Sequence, residues 1–317
     1  MYDGTSLLPV GAGWAMTRGA LTVVEARNRI ALPAVGVGVL AVGASAVFIR
    51  LAEAPALGIA FWRCALGALA LLPLAAYNRE GVPKGRDLWI GCASGIALGA
   101  HFGTWIVSLE YTSVAASVVL VSTTPVFVAI AAYPLFGERT SAVSFGGIAL
   151  AIAGTAVIAG GEHSPGGAAF FGNVLALIGA ITMGVYVLIG RSLRTGGVGA
   201  LSYSIVGYSA AALALLLVAL PSGVQLWGYS ATTWFWLLVI TLGPQLLGHT
   251  VLNWALEYVR ASVISGAILA EPVIAALLAW LVLSERPGLA TVLGGLVVLA
   301  GLYLLLRGDD ASSPSPP

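Results

Sequence analysis

An all-α integral membrane protein is the fold class this sequence predicts, with ten transmembrane helices arranged as two inverted five-helix repeats around a central cavity. Three observations predict it. Hydrophobic residues make up 59% of the 317-residue chain and charged ones 9%, with a mean hydropathy of +0.99, too little charge to cover a soluble domain of this size. Ten apolar runs of about 20 residues follow one another, each long enough as a helix to cross about 30 Å of hydrocarbon. The last five runs look like a diverged copy of the first five. A constant shift, the 147 positions from Glu110 to Glu257, carries Leu109-Glu110-Tyr111 onto Leu256-Glu257-Tyr258. It also carries Pro125 onto Pro272, Glu138-Arg139 onto Glu285-Arg286, Gly147 onto Gly294 and Gly154 onto Gly301.

Lipid leaves only helices or closed barrels as spanning structures, because it cannot satisfy a backbone N–H or C=O. Barrel strands alternate with period two over about ten residues; these runs are apolar all round, so they read as helices. The spans are expected at about 30–50, 57–78, 88–109, 113–136, 141–160, 169–190, 199–220, 232–256, 262–283 and 287–307. Residues 1–29 read as a cytoplasmic N-terminal tail rather than a cleaved signal, because no basic stretch leads directly into an apolar core. Residues 30–160 make the first repeat and 161–308 the second; an odd number of spans in each makes the second enter the membrane upside down. Residues 309–317, rich in Asp, Ser and Pro, read as a disordered C-terminal tail.

The cations set the orientation. Eleven of the fourteen Lys and Arg fall on one side of these spans, in the tails and in connections such as Arg79, Lys84, Arg86, Arg139, Arg191, Arg194 and Arg260. Only Arg50 and Arg286 fall on the other, and Arg63 lies inside span two. The positive-inside rule then puts both termini in the cytoplasm. The net charge of +1 gives no sign of nucleic-acid binding. Cys64 and Cys92 are expected at different depths, more than about ten ångströms apart at about 1.5 Å per residue. A disulfide needs Cα atoms within about 7 Å, so both read as small packing residues.

Ionisable residues well inside spans are few: Arg63, His101, His249 and Glu271. Each costs about 2.5–3.5 kcal/mol at a helix centre and needs a partner or a wet cavity. Glu271 precedes Pro272, and its counterpart is Thr124 before Pro125. Two prolines at matched depth remove backbone donors and are expected to break their helices there, as gating points or simply as kinks. Gln245, His249 and Asn253 follow at steps of four on span eight, as do His101 and Trp105 on span three, so each set shares a helix face. Such faces serve either as interhelical glue or as the wall of a cavity. His249 is one position off the aligned Gly248, so the two histidines are only approximate mates, His101 toward the outer side and His249 toward the inner. Trp89, Trp227, Trp234 and Trp236 read as interface anchors, and Arg63 either snorkels to the outer surface or serves the interior.

The glycines in spans five and ten, seven apart in each, read as close helix packing, inside one chain or across a dimer. Gly36-x-Gly38-x-x-Ala41 mimics a dinucleotide loop but lies inside an apolar run with no strand before it. Neither a P-loop nor HExxH nor a nucleophile elbow is present. No cofactor, metal or catalytic residue is expected.

On these residues the chain resembles the drug/metabolite transporter superfamily, in its EamA-type exporter branch. The resemblance covers about residues 30–307. It rests on Phe61-Trp62-Arg63, on Thr124-Pro125-Val126-Phe127 with Gly137-Glu138-Arg139, and on Glu271-Pro272-Val273-Ile274 with Ser284-Glu285-Arg286. It implies ATP-independent export of amino acids or similar metabolites, and among such proteins the chain is most similar to bacterial aromatic amino-acid exporters. It also implies a central cavity lined by spans one, three, four, six, eight and nine. That places His101, Trp105, Gln245, His249, Asn253 and Glu271 on the substrate path and leaves Arg63 peripheral. The expected partners are a small-molecule substrate and the lipid bilayer, with the chain a monomer or weak homodimer. A membrane-embedded enzyme acting on lipid, or a non-transporting scaffold, is the rival reading; the enzyme would need a nucleophile–base pair or metal cluster, for which two dispersed histidines and one carboxylate are thin support. Glu271 is left with three roles: proton carrier, counter-charge to a substrate amine, or donor to a freed carbonyl. The sparse acidic complement favours facilitated transport over proton coupling.

Overall fold

The computed structural model describes residues 30–112, 117, 120–160, 168–283 and 288–310. Among these, all regular structure is helical. Seven helices are long and apolar enough to cross a membrane: α1 (Ile30–Ala52), α2 (Ala56–Tyr77), α3 (Gly85–Tyr111), α6 (Ala168–Thr195), α7 (Ala200–Ala219), α8 (Ala231–Ala255) and α9 (Ala261–Val282). Three more, α4 (Thr124–Phe136), α5 (Ala142–Gly160) and α10 (Leu289–Asp310), carry shorter apolar stretches. The expected N-terminal tail, residues 113–116 and 118–119 of span four, the turns at Glu162-His163 and Ser284-Glu285-Arg286, and the tail from residue 311 lie outside the described residues.

Two expected ends move. Span six was expected to stop near residue 190, with Arg191 and Arg194 in a loop, but α6 runs on to Thr195. It can do so because both cations find partners: Arg191 pairs with Glu138 at 2.7 Å, and Arg194 pairs with Glu257. The last helix likewise continues to Asp310, two residues into the expected tail.

Helix ends follow local chemistry. Gly137 takes a left-handed φ of 70° and closes α4, its N–H bonding the Tyr133 carbonyl. Ser230 Oγ accepts from the Thr233 N–H and starts α8.

Four helices are irregular, α1 through a turn at Ala44. A turn at Ser122–Thr123 precedes Pro125 in α4, and a 3-10 turn at Ile268–Ala270 precedes Pro272 in α9. These irregularities fall at matched positions under the 147-residue shift. α8 contains a π-helical stretch, Thr241–Thr250, around Pro244. Proline has no N–H to give and its ring crowds the carbonyl four residues back, so an α-ladder cannot close there. Within the stretch the Gln245 carbonyl accepts from Tyr208 Oη at 3.2 Å and from Thr250 Oγ1 at 3.3 Å.

α5 and α10 pack along each other at glycines. A Cβ at Gly147 would lie 2.6 Å from the Gly301 carbonyl oxygen, and one at Gly154 would lie 2.7 Å from that of Gly294. The contact is reciprocal: each glycine touches the mate of the other, and the two helices run antiparallel. These glycines are used within the chain, which decides between the two packing readings.

A central core cluster draws on α1, α2, α3, α4, α6, α7, α8 and α9, and a small second one joins Ala129, Ile148 and Leu305. Cys64 and Cys92 are free thiols, Cys64 buried. At one end of the molecule Trp62, Trp227 and Trp234 stack edge to face and Trp62 Nε1 donates to the Leu226 carbonyl. At the opposite end lie Glu138, Arg191, Arg194 and Glu257.

Candidate functional site

Eight helices converge on the core, and seven of them line one narrow cavity of about 40 Å³. α1 gives Val42 and Ser45, α2 Arg63, α3 His101, Phe102 and Trp105, and α4 Ser122, Thr124 and Pro125. α6 gives Met183, α8 His249, and α9 Ser265, Leu269 and Glu271. At about 10–15 Å³ of such volume per water, the space takes about three waters and no amino acid. The cavity is therefore contracted as it stands.

Four of the six expected site residues meet here: His101, Trp105, His249 and Glu271. The His101 and Trp105 rings stack, 5.9 Å apart and 8° from parallel. His101 Nδ1 lies 3.0 Å from the Gly179 carbonyl, which can only accept. That contact places the hydrogen of the neutral ring on Nδ1 and leaves Nε2 an acceptor. His249 meets Phe102 edge to face at 5.2 Å, and both histidines line the one cavity. The position aligned with His101, Gly248, has no room for a side chain: a Cβ there would sit 2.7 Å from Val42 of α1. Gly38 of the dinucleotide-like string packs against α8, where a Cβ would lie 3.1 Å from the Leu252 side chain.

Gln245 and Asn253 are buried but do not line the cavity. The Asn253 amide donates to Tyr186 Oη at 2.6 Å and to Ser204 Oγ at 3.1 Å, and so joins α8 to α6 and α7. Gln245 Oε1 accepts from Arg63 Nε at 2.8 Å. The three residues spaced by four thus face three different neighbours, because the π stretch between Thr241 and Thr250 alters the helical rotation on which the shared face depended.

Arg63 overturns the expectation that it is peripheral. Its side chain is fully buried, with the guanidinium carbon 3.9 Å from the centre of the Phe102 ring. Nη1 donates to Ser45 Oγ at 3.3 Å. A snorkelling arginine would reach outward, but the aromatic cluster of Trp62, Trp227 and Trp234 closes that end of α2. In the sequence the signal was Gln245: a long-range polar partner on a different span, which only the fold could connect to Arg63.

Polar groups around the cavity are incompletely satisfied. Arg63 Nη2, Trp105 Nε1 and Gln245 Nε2 are buried without a hydrogen-bond partner. Glu271 lines the cavity and makes no hydrogen bond or ion pair with any described residue, Arg63 included. Each such group costs about 1–3 kcal/mol, and more when charged. Thr124, at the position matching Glu271, is satisfied: its Oγ1 donates to the Val121 carbonyl at 2.8 Å and to that of Ala180 at 3.0 Å. Pro125 lines the cavity beside it; Pro272 is buried next to Glu271 and does not. No group of three or more His, Cys, Asp or Glu able to hold a metal occurs among the described residues.

Comparison with known proteins places this architecture. A model of the EamA-like transporter family matches the chain twice, over residues 30–160 and 170–307. An uncharacterized transporter of Archaeoglobus fulgidus is 24% identical over 274 residues, covering 82% of this chain and 91% of its own length. An uncharacterized transporter of Bacillus subtilis is 24% identical over 251 residues, covering 77% of this chain and 79% of its own. A crystal structure sharing 18% identity superposes with a TM-score of 0.73 over 89% of this chain and 99% of the other. At that identity the superposition speaks to fold alone.

Proposed function

The chain belongs to the EamA-like transporter family, and from that premise we propose that it exports amino acids, aromatic ones among them, from the cytoplasm by alternating access. The single observation that carries the reading is the contracted central cavity, lined from both halves and rimmed by buried donors and a carboxyl group without partners. Lone polar groups at mid-membrane depth mark a ligand path more readily than a packing core.

In this reading the two halves, 30–160 and 161–308, are five-helix repeats inverted about an axis in the membrane plane. The separate match of one family model to each half supports it, as do the matched breaks before Pro125 and Pro272 and the reciprocal antiparallel glycine contacts of α5 with α10. Export requires the halves to rock and the cavity to widen. The Arg191–Glu138 and Arg194–Glu257 pairs tie α6 to the ends of α4 and α8, and in the proposed orientation they close the cytoplasmic side. Orientation follows from the eleven-to-two charge asymmetry, with both termini in the cytoplasm of a bacterial inner membrane. A reporter fused after Arg307 is then cytoplasmic and one at Glu162-His163 periplasmic; a periplasmic C-terminus reverses the direction.

Counterflow into proteoliposomes of purified protein tests the function. Labelled amino acid should accumulate against unlabelled amino acid inside, with phenylalanine, tyrosine or tryptophan among the active substrates. Absence of flux for every amino acid in the panel ends the proposal.

A further inference from the structure

Arg63 and Glu271 share the cavity but are held apart. The guanidinium is anchored toward α1, α3 and α8 by Ser45, by the face of Phe102 and by Gln245. These contacts use Nε and Nη1 and leave Nη2 with nothing to donate to. Trp105 lines the same space, and its Nε1 also has no acceptor. Glu271 offers acceptors and receives no donor from the described residues. A buried guanidinium beside an unpaired carboxyl group is costly in an apolar medium, and two such groups would collapse onto each other if their anchors allowed it. The arrangement is completed by a ligand that brings an anionic acceptor to one side and a cationic donor to the other.

We propose that Arg63 and Trp105 bind the carboxylate of the transported molecule and that Glu271 binds its ammonium group, so that the site selects α-amino acids as zwitterions. This rests on the transport reading of the same cavity and adds to it the chemistry of recognition. A carboxylate accepts from both the guanidinium Nη2 and the indole N–H; charge-assisted bonds of this kind are among the stronger ones available to a protein. A zwitterion also adds no net charge to the cavity, whereas a simple amine or acid brings one charge and leaves the opposite group of the pair unmatched. The His101 and Trp105 rings then lie beside the carboxylate end, where an aromatic or aliphatic side chain can stack.

The test compares ligands that differ only in the two charged groups. Phenylalanine, 2-phenylethylamine and 3-phenylpropionate, and in parallel leucine, isopentylamine and 4-methylvalerate, compete for counterflow of whichever labelled amino acid gives the highest flux with wild-type protein. The amine and the acid should each compete at least about tenfold more weakly than the parent amino acid. Arg63→Met should erase the preference of phenylalanine over 2-phenylethylamine. If that variant fails to purify as a single species, Trp105→Phe keeps the ring, removes the N–H and should narrow the same preference by about threefold. An amine that competes as well as its amino acid in the wild type overturns the proposal and leaves transport standing. A chain that moves no amino acid at all sinks the transport reading first.

Discussion

α4 and α9 occupy matched places in the two halves, yet they treat their polar residues in opposite ways. Both break just before a proline, at Ser122–Thr123 and at Ile268–Ala270. In α4 the next residue is Thr124, whose hydroxyl is consumed by two backbone carbonyls. In α9 it is Glu271, which bonds no described residue. α3 and α8 differ in the same spirit: α3 is α-helical throughout its 27 residues, and α8 winds into a π stretch around Pro244. The match along the sequence extends to the breaks and not to the chemistry. Positions matched under the 147-residue shift carry the breaks, and unmatched residues carry the charge.

The comparison is sharpest at its two threonine and glutamate positions. Glu271→Gln should lower amino-acid counterflow at least about tenfold, equivalent to about 1.4 kcal/mol. Thr124→Val should lower it less than about threefold, since its hydroxyl faces backbone. Equal losses would break the contrast. On α3 and α8, His101→Ala, Trp105→Ala and His249→Ala should each cut flux by about tenfold in protein that still purifies, as expected for rings that line one cavity. Wild-type flux in all three would return them to packing.

Gly154→Val and its mate Gly301→Val should each cost about 1–3 kcal/mol in thermal unfolding, because their Cβ atoms would enter the facing helix. Similar losses in the two would sharpen the symmetry, and a cost at only one would break it. Gly36→Ala, with nothing within 4 Å of the new methyl, should leave stability unchanged. Pro244→Ala returns a donor to α8 and should raise stability by about 0.5–2 kcal/mol while slowing exchange; a fall in stability would show that the π stretch is set by packing and not by the proline. The smallest effect is expected from a pH gradient imposed on wild-type liposomes, which should change flux less than about twofold if Glu271 is a fixed counter-charge and not a proton carrier.

Much of the fold was legible because hydropathy and length are enough to mark a span, and because the repeat left an ungapped trace. His101, Trp105, His249 and Glu271 were legible for a related reason: ionisable groups and indole rings are conspicuous in apolar runs. Arg63 was not. A snorkelling arginine and a buried one look alike along the chain, and the difference lies in Gln245, 182 positions away. Asn253 shares the four-residue spacing of Gln245 and His249, but the π stretch around Pro244 interrupts the α-helix that this spacing presumes, and its amide bonds Tyr186 and Ser204. Along the chain Arg191 and Arg194 read as loop residues, because the charge pairs that admit them to α6 come from distant segments.

The mutual fit of α5 and α10 has a meaning for assembly as well as for packing. Gly147 and Gly154 meet the counterparts of each other, so the face that α5 offers is complementary to one of its own kind. Two separate halves bearing such a face would have to find one another by diffusion, and their union would fade on dilution in the membrane. Joining them in one polypeptide turns that encounter into an intramolecular event with a high effective concentration. It also fixes the stoichiometry at one of each, which is what allows one half to keep Thr124 while the other carries Glu271.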